Sequence, residues 1–434
     1  MMTQSNLTFT ENHEIPEGYK KTEVGIIPND WTVESLQNLC RSSITYGIVQ
    51  CGPHIPNGIP YIRVSDMNSS ELNVDEMLRT SPEIASSFGR SKVEEGDIVY
   101  ALRGKLGEVK MVGTVVSGAN LTQGTARIAP KNNIDNRYLL WTLRSPQALK
   151  QAVKEAKGST FVEITLGNLK GISVPLPSSR EEQQKIATAL SDTDALISEL
   201  EKLIEKKQAI KTATMQQLLT GKTRLPEFAL CEDGTPKTYK DSELGQIPDD
   251  WYVRKLGELV EITSGESPSK FNFVNDGIPY FKVEQLNNGN FYAESTPYSV
   301  KLGKTILAGS LIFPKRGASI LSNKIRILKV NACMDTNLMA LTCSHELNPN
   351  YLLYSLSYGG LDKVADTTSI PQINNKHILP YKIFYPFIGE QIRISSILVD
   401  LENDIELSQQ KVEKLRKIKL GMMQELLTGK TRLV

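Results

Sequence analysis

LLTGKTRL, at residues 218–225, recurs letter for letter at residues 426–433. Each copy closes a long charged segment studded with leucine. An identical repeat of this length marks a duplicated unit. Walking back from the two copies, EEQQKI (181–186) answers GEQIRI (389–394), and RYLLWTL (137–143) answers NYLLYSL (350–356). NGIPYIRV (57–64) answers DGIPYFKV (276–283), and VGIIPNDWTVESL (24–36) answers LGQIPDDWYVRKL (244–256). The offset falls from 220 at Trp31 and Trp251 to 208 at the terminal motif, so the halves share a frame and differ by insertions inside it. The chain reads as two versions of one unit.

The segment before each LLTGKTRL is a heptad helix. Leu190, Ile197, Ile204 and Leu218 hold one position in the first half, with Thr193, Leu200, Lys207 and Thr214 at its companion. Leu398, Ile405, Val412 and Leu426 hold it in the second, with Leu401, Ser408, Leu415 and Met422 beside them. Forty residues of helix reach ~60 Å, and one apolar seam of that length demands a partner. Each half supplies a match for the other, which predicts an antiparallel coiled coil with a globular domain at each end. Gly221 and Gly429, just past the last apolar residues, are expected C-cap glycines.

Outward from these helices, the fold class is mixed α/β (α+β). Residues 1–19 read as a disordered leader, 20–178 as a first globular domain, 179–225 as the first spacer helix, 226–249 as a linker, 250–387 as a second globular domain and 388–434 as the second spacer helix. IPYIRV, GDIVYAL, EVKMVGTVV, TARIAP and ISVPL are β-branched runs cut by Gly, Pro and Asn, the pattern of short strands and turns. RYLLWTLRSPQALKQAV is helical, with Pro146 dividing it in two.

The 434 residues are enough for more than one core, and a net charge of +1 gives no global pull toward nucleic acid or membrane. Five cysteines without a CxxC pair favour neither a disulfide framework nor a zinc site. With no signal-peptide pattern and no apolar run of ~20 residues, a cytoplasmic soluble protein is expected.

Fragments that suggest catalysis fail on spacing. A P-loop needs a glycine five residues before that of GKT; Gln216 and Gln424 stand there, and the motif follows a helix where a P-loop precedes one. The four histidines, His13, His54, His345 and His377, make no i, i+4 pair, so no metal site is expected. Asp97 is answered by Ser310, which makes it a turn residue and no duplicated carboxylate. No catalytic residue is assigned.

A binding pattern is left. Arg63, Arg103 and Lys105 of the first half are answered by Lys282, Lys315 and Arg316. Around them stand Ser65, Asn68, Asn120, Gln123 and Thr125 in the first half, and Gln285, Asn287, Asn288 and Asn323 in the second. Such cations and amides serve both phosphate neutralisation and hydrogen bonding to base edges.

The paired openings IPNDW and IPDDW, the GIPYIRV and GIPYFKV strands, VEEGDIVYALRG with ILAGSLIFPKRG, the EEQQKI and GEQIRI helix starts and the two LLTGKTRL endings together resemble the specificity subunits of type I restriction-modification enzymes. The resemblance covers nearly the whole chain beyond the leader. It implies two target recognition domains reading an asymmetric bipartite site on double-stranded DNA, and spacer helices that dock two modification subunits. Restriction subunits with motor and nuclease would complete a defence against foreign DNA. It further implies that this chain is not an enzyme and binds no cofactor, while S-adenosylmethionine, ATP and Mg serve the partner subunits that methylate adenine. By the same resemblance Leu190, Ile197, Leu200, Ile204, Leu218, Leu398, Leu401, Ile405, Val412, Leu415 and Leu426 form the spacer and partner-docking surface. A duplicated protein-binding scaffold is the alternative reading.

Overall fold

A computed structural model describes residues 15–69, 71–156, 162–287, 291–366 and 370–433. Asn288 and residues 1–14 of the expected leader lie outside them. The chain divides into two compact units, Met1–Leu200 with Lys411–Val434, and Glu201–Gln410. Each unit thus takes its final segment or its first helical half from the other repeat.

In unit 1 the strand Ile98–Ala101 is buried at all four positions, the signature of a strand covered on both faces. It pairs antiparallel with Thr125–Ile128 on one side and Val109–Met111 on the other. A second sheet joins Ile59–Ile62 antiparallel to Arg79–Thr80 and parallel to Asn120–Leu121. The expected strand through VGTVV ends early: Thr114–Val116 is a 3-10 turn. Pro146 does divide the helical run, giving Asn136–Leu143 and Pro146–Glu155. The Ser145 side chain caps the second helix and proline fills its first turn, where a missing N–H costs nothing.

Unit 2 repeats the plan with a broader sheet, ordered Val260–Ser264, Leu338–Cys343, Leu311–Pro314, Arg326–Leu328 and Tyr292–Ala293. Leu311–Pro314 is the buried centre, matching Ile98–Ala101.

The long helices are Arg180–Leu219 and Ile388–Leu426. They run antiparallel in each unit. In unit 1, Lys419 Nζ donates to Asp194 Oδ1 at 2.6 Å; in unit 2, Lys207 Nζ donates to Asp404 Oδ1 at 2.8 Å. Leu190, Ile197, Ile204, Leu218, Leu398, Ile405, Val412 and Leu426 are buried, while Leu200, Leu401 and Leu415 are half-buried. The heptad gap in each seam is filled by lysine. Lys419 lies over the Trp141 ring and pairs with Asp194; Lys211 lies over Phe291 and pairs with Glu402. A charged layer of this kind discriminates against slipped registers.

LLTGKTRL does cap its helix. Gly221 and Gly429 both have φ of +70°, a left-handed conformation that favours glycine. An added Cβ would sit 2.6 Å from Pro248 Cδ at the first and 2.5 Å from Pro28 Cδ at the second. Each cap is thereby pressed against an IPxxW opening. The next arginine locks it there. Arg432 donates to Glu182 through Nε at 2.5 Å and Nη2 at 2.9 Å, and to Asp30 through Nη1 and Nη2 at 3.0 Å each. Arg224 makes the same fork to Glu390 at 2.7 and 2.8 Å and to Asp250 at 2.9 and 3.2 Å. Trp31 and Trp251 add indole N–H bonds to Glu182 and Glu390.

Candidate nucleic-acid interface

In unit 1 three turns from different strands meet beyond the end of Ile98–Ala101. Leu102 N–H donates to Gly124 O at 2.9 Å, Thr122 N–H to Ile62 O at 3.2 Å, and Gln123 N–H to Ile48 O at 3.0 Å. A Cβ on Gly124 would stand 3.2 Å from both Arg103 Nε and Val64 Cγ2, so glycine gives the arginine its place across this turn. The turns after Ile62, Ala101 and Leu121 therefore form one cluster carrying Arg63, Arg103 and Gln123.

Arg103, Lys105, Ser65, Asn68 and Gln123 are exposed there. Arg63 is half-buried and oriented by Asp66, which accepts its Nη2 at 2.6 Å and its backbone N–H at 2.8 Å. Asn120 does not belong to the surface. At 2% exposure it accepts from Ser91 Oγ and donates to Ala85 O, because its strand position opposite Tyr61 turns the amide inward. Thr125 is likewise buried and bonds Ile62 O.

Unit 2 has the same frame. Lys315 N–H donates to Asn337 O and Ile373 N–H to Lys315 O, matching Leu102 with Gly124 and Ile164 with Leu102. Arg316 bridges Gln372 as Arg103 bridges Glu163. Gly317 and Gly104, at φ of +78° and +72°, turn the chain after each arginine. Arg316 is thus the counterpart of Arg103, whereas Lys315 corresponds to Leu102 and not to Lys105. Lys315 Nζ donates to Ser264 Oγ at 2.9 Å, and burial together with the neighbouring Arg316 charge holds its pKa below the usual lysine value.

At the Arg63 position unit 2 carries Lys282, whose Nζ lies 3.5 Å from the Tyr298 ring centroid and 5.2 Å from that of Phe273. This aromatic seat went unread in the sequence, although Phe271, Phe273 and Tyr298 cluster near it in the chain. Gln285 accepts the Lys282 N–H at 2.8 Å and donates to Glu284, so its amide is consumed by the turn as Asp66 is. Asn323, at φ of +46°, donates to Ser357 O and accepts from Leu361 N–H, which ties it to the end of the helix Pro349–Gly359. Asn287 is exposed and accepts from Lys324 Nζ.

The clusters present cations and amides and no assembled nucleophile. Asp97 is fully buried between Arg41, at 2.7 Å, and Arg127, at 2.6 Å, a structural ion cluster at the start of Ile98–Ala101. Among the described residues no group of three or more His, Cys, Asp or Glu side chains could hold a metal ion, and no helix is long and apolar enough to cross a membrane.

The model of the type I restriction modification DNA specificity domain matches residues 28–212 and again 248–417. A putative type I restriction enzyme MjaX specificity subunit of Methanocaldococcus jannaschii is 28% identical over 96% of this chain and 97% of its own length. The EcoBI specificity subunit of Escherichia coli is 32% identical over 45% of this chain and 41% of its own. The solved type I restriction-modification S subunit from M. genitalium superposes with a TM-score of 0.56 at 17% identity, covering 91% of this chain and 96% of that one. The chain belongs to the type I restriction-modification DNA specificity family. It is a targeting subunit with two recognition domains, and not a catalytic one.

Proposed function

We propose that the Arg103 cluster and the Arg316 cluster each read one half of an asymmetric, bipartite site on double-stranded DNA. The observation that carries this reading is the coexistence of an equivalent arginine on an equivalent glycine turn with different neighbours: Arg63 on Asp66 in one unit, Lys282 against two aromatic rings in the other. The shared arginine bonds a base edge in each half-site, and its divergent neighbours let the two half-sites differ in sequence.

The antiparallel helices act as the spacer that sets the gap between half-sites. They also dock two modification subunits, which bring S-adenosylmethionine, and through them restriction subunits using ATP and Mg in the cytoplasm. The buried seam residues, Leu190 through Leu426, are covered by the facing helix and, at the helix ends, by the cores around Trp31 and Trp251. The docking contacts fall instead on apolar residues left outside the seam, notably Leu196, Leu203 and Ile210, 42%, 42% and 46% exposed at heptad spacing.

Titrating a labelled bipartite duplex with the chain plus modification subunits tests the reading. Binding should weaken steeply with salt, and Arg103→Ala and Arg316→Ala should each weaken it. Salt-independent binding, or none with the partners present, favours the scaffold alternative.

A further inference from the structure

The two units differ behind the strand that leads into each long helix. In unit 1 the helix Pro146–Glu155 lies on the strand Ser173–Leu176. Gln151 accepts from Ser173 N–H and donates to Ser173 O, both at 2.9 Å, and Gln147 donates to Val24 O. Ala148 and Ala152 are buried beneath it, and Val24 is 8% exposed. In unit 2 the same segment is four residues shorter, since the repeat offset drops from 213 at Tyr138 and Tyr351 to 209 at Pro175 and Phe384. The helix Pro349–Gly359 runs unbroken through the positions of Ser145 and Pro146, where unit 1 starts a new helix, and ends there. Between it and the strand Lys382–Tyr385 the described residues form only short helices, Asp362–Val364 and Asn375–Ile378.

A groove of about 390 Å³ lies at that place, lined by Leu244, Tyr358, Tyr381, Ile383 and Phe384 among others. A hollow of about 720 Å³ shares Leu244, Tyr358 and Phe384 with it. Leu244, the counterpart of Val24, is 39% exposed, and Tyr358 is 40% exposed. Lys382 stands opposite Lys255 as Ser173 stands opposite Ser35, so its main-chain N–H and C=O turn the way that Gln151 reads in unit 1. An apolar surface with outward main-chain groups is a helix seat without its helix.

We propose that this groove of unit 2 receives an amphipathic helix from a partner protein, laid down as Pro146–Glu155 lies in unit 1. The guest presents small apolar residues to Tyr358, Tyr381 and Phe384, and a side-chain amide to the main chain of Lys382. The inference rests on the internal repeat and not on the reading of DNA.

The probe is a fluorescein-labelled peptide with the sequence of residues 145–156, SPQALKQAVKEA, titrated with the full chain and followed by anisotropy. Saturable binding is expected, weakened at least tenfold by Leu244→Glu and by Tyr358→Ser, two exposed positions on different parts of the lining. A peptide with both glutamines changed to alanine should also bind more weakly. Circular dichroism melting of the two variants checks that they fold. Absence of saturable binding overturns the proposal. So does equal affinity for wild type and both folded variants, which would put the peptide elsewhere. Peptide-sensitive self-association of the chain would assign the groove to a second copy and overturn it as well.

Discussion

Arg432 and Glu182 stand 250 residues apart in the chain and make a forked pair, with Nε and Nη2 of the guanidinium on the two carboxylate oxygens. Glu182 is 2% exposed, so the arginine satisfies a carboxylate that water cannot reach. Removing one partner of such a pair leaves a buried charge, at a cost of about 3 to 5 kcal/mol. Arg432 itself is 26% exposed, which places Arg432→Ala near the low end, about 3 kcal/mol, in chemical denaturation. Arg432→Lys should recover little of it, because a point charge cannot span Glu182 and Asp30 together.

Two carboxyls, Asp30 held by Arg432 and Glu390 held by Arg224, predict opposite responses to acid. The Arg432 hydrogen bond holds the Asp30 carboxyl below its usual range, so its contribution is present above the unfolded pKa and is lost as pH falls through the folded one. Glu390 is the reverse: burial pushes its carboxyl up against the pull of Arg224 and Trp251. Its contribution is present at low pH and is lost as pH rises through the folded value. Melting temperatures taken over roughly pH 5 to 3 should therefore fall less steeply in Asp30→Asn than in wild type. Glu390→Gln should make the fall steeper.

Gly429→Ala should destabilise by more than the ~1 kcal/mol of an ordinary left-handed cap, because its Cβ would also meet Pro28 at 2.5 Å. Gly421→Ala is the control. It lies inside the second long helix, where an added Cβ meets nothing within 4 Å, and should stabilise by about 0.5 to 1 kcal/mol. Equal effects of the two in thermal melts would remove the cap from the account.

Arg103→Ala and Arg316→Ala should each cost the partner-loaded complex about 1 to 3 kcal/mol of duplex affinity. Each should relax base preference in one half-site only. Asn120→Ala, whose amide is buried, should instead lower stability and leave the base preference unchanged, which competition with mismatched duplexes will separate.

The frame of the fold was legible because the repeat is: LLTGKTRL, the heptads and the IPxxW openings mark the same places twice. The Arg103 and Arg316 correspondence was legible in VEEGDIVYALRG and ILAGSLIFPKRG for the same reason. What stayed hidden depends on distant pairing. Nothing local in TGKTRL names Glu182 or Asp30 as the partners of Arg432, and polarity alone could not tell exposed Gln123 from buried Asn120, which differ by strand register. The heptad spacing likewise gives no sign that Lys211 and Lys419 each pair with an acid of the other helix.

The most direct measurement is the methylated motif written by the reconstituted complex after residues 24–178 are exchanged for those of another family member, read by sequencing the modified DNA. One half of the motif should change while the other half and the gap persist. A change in both halves, or in neither, would contradict a pair of units that read DNA independently.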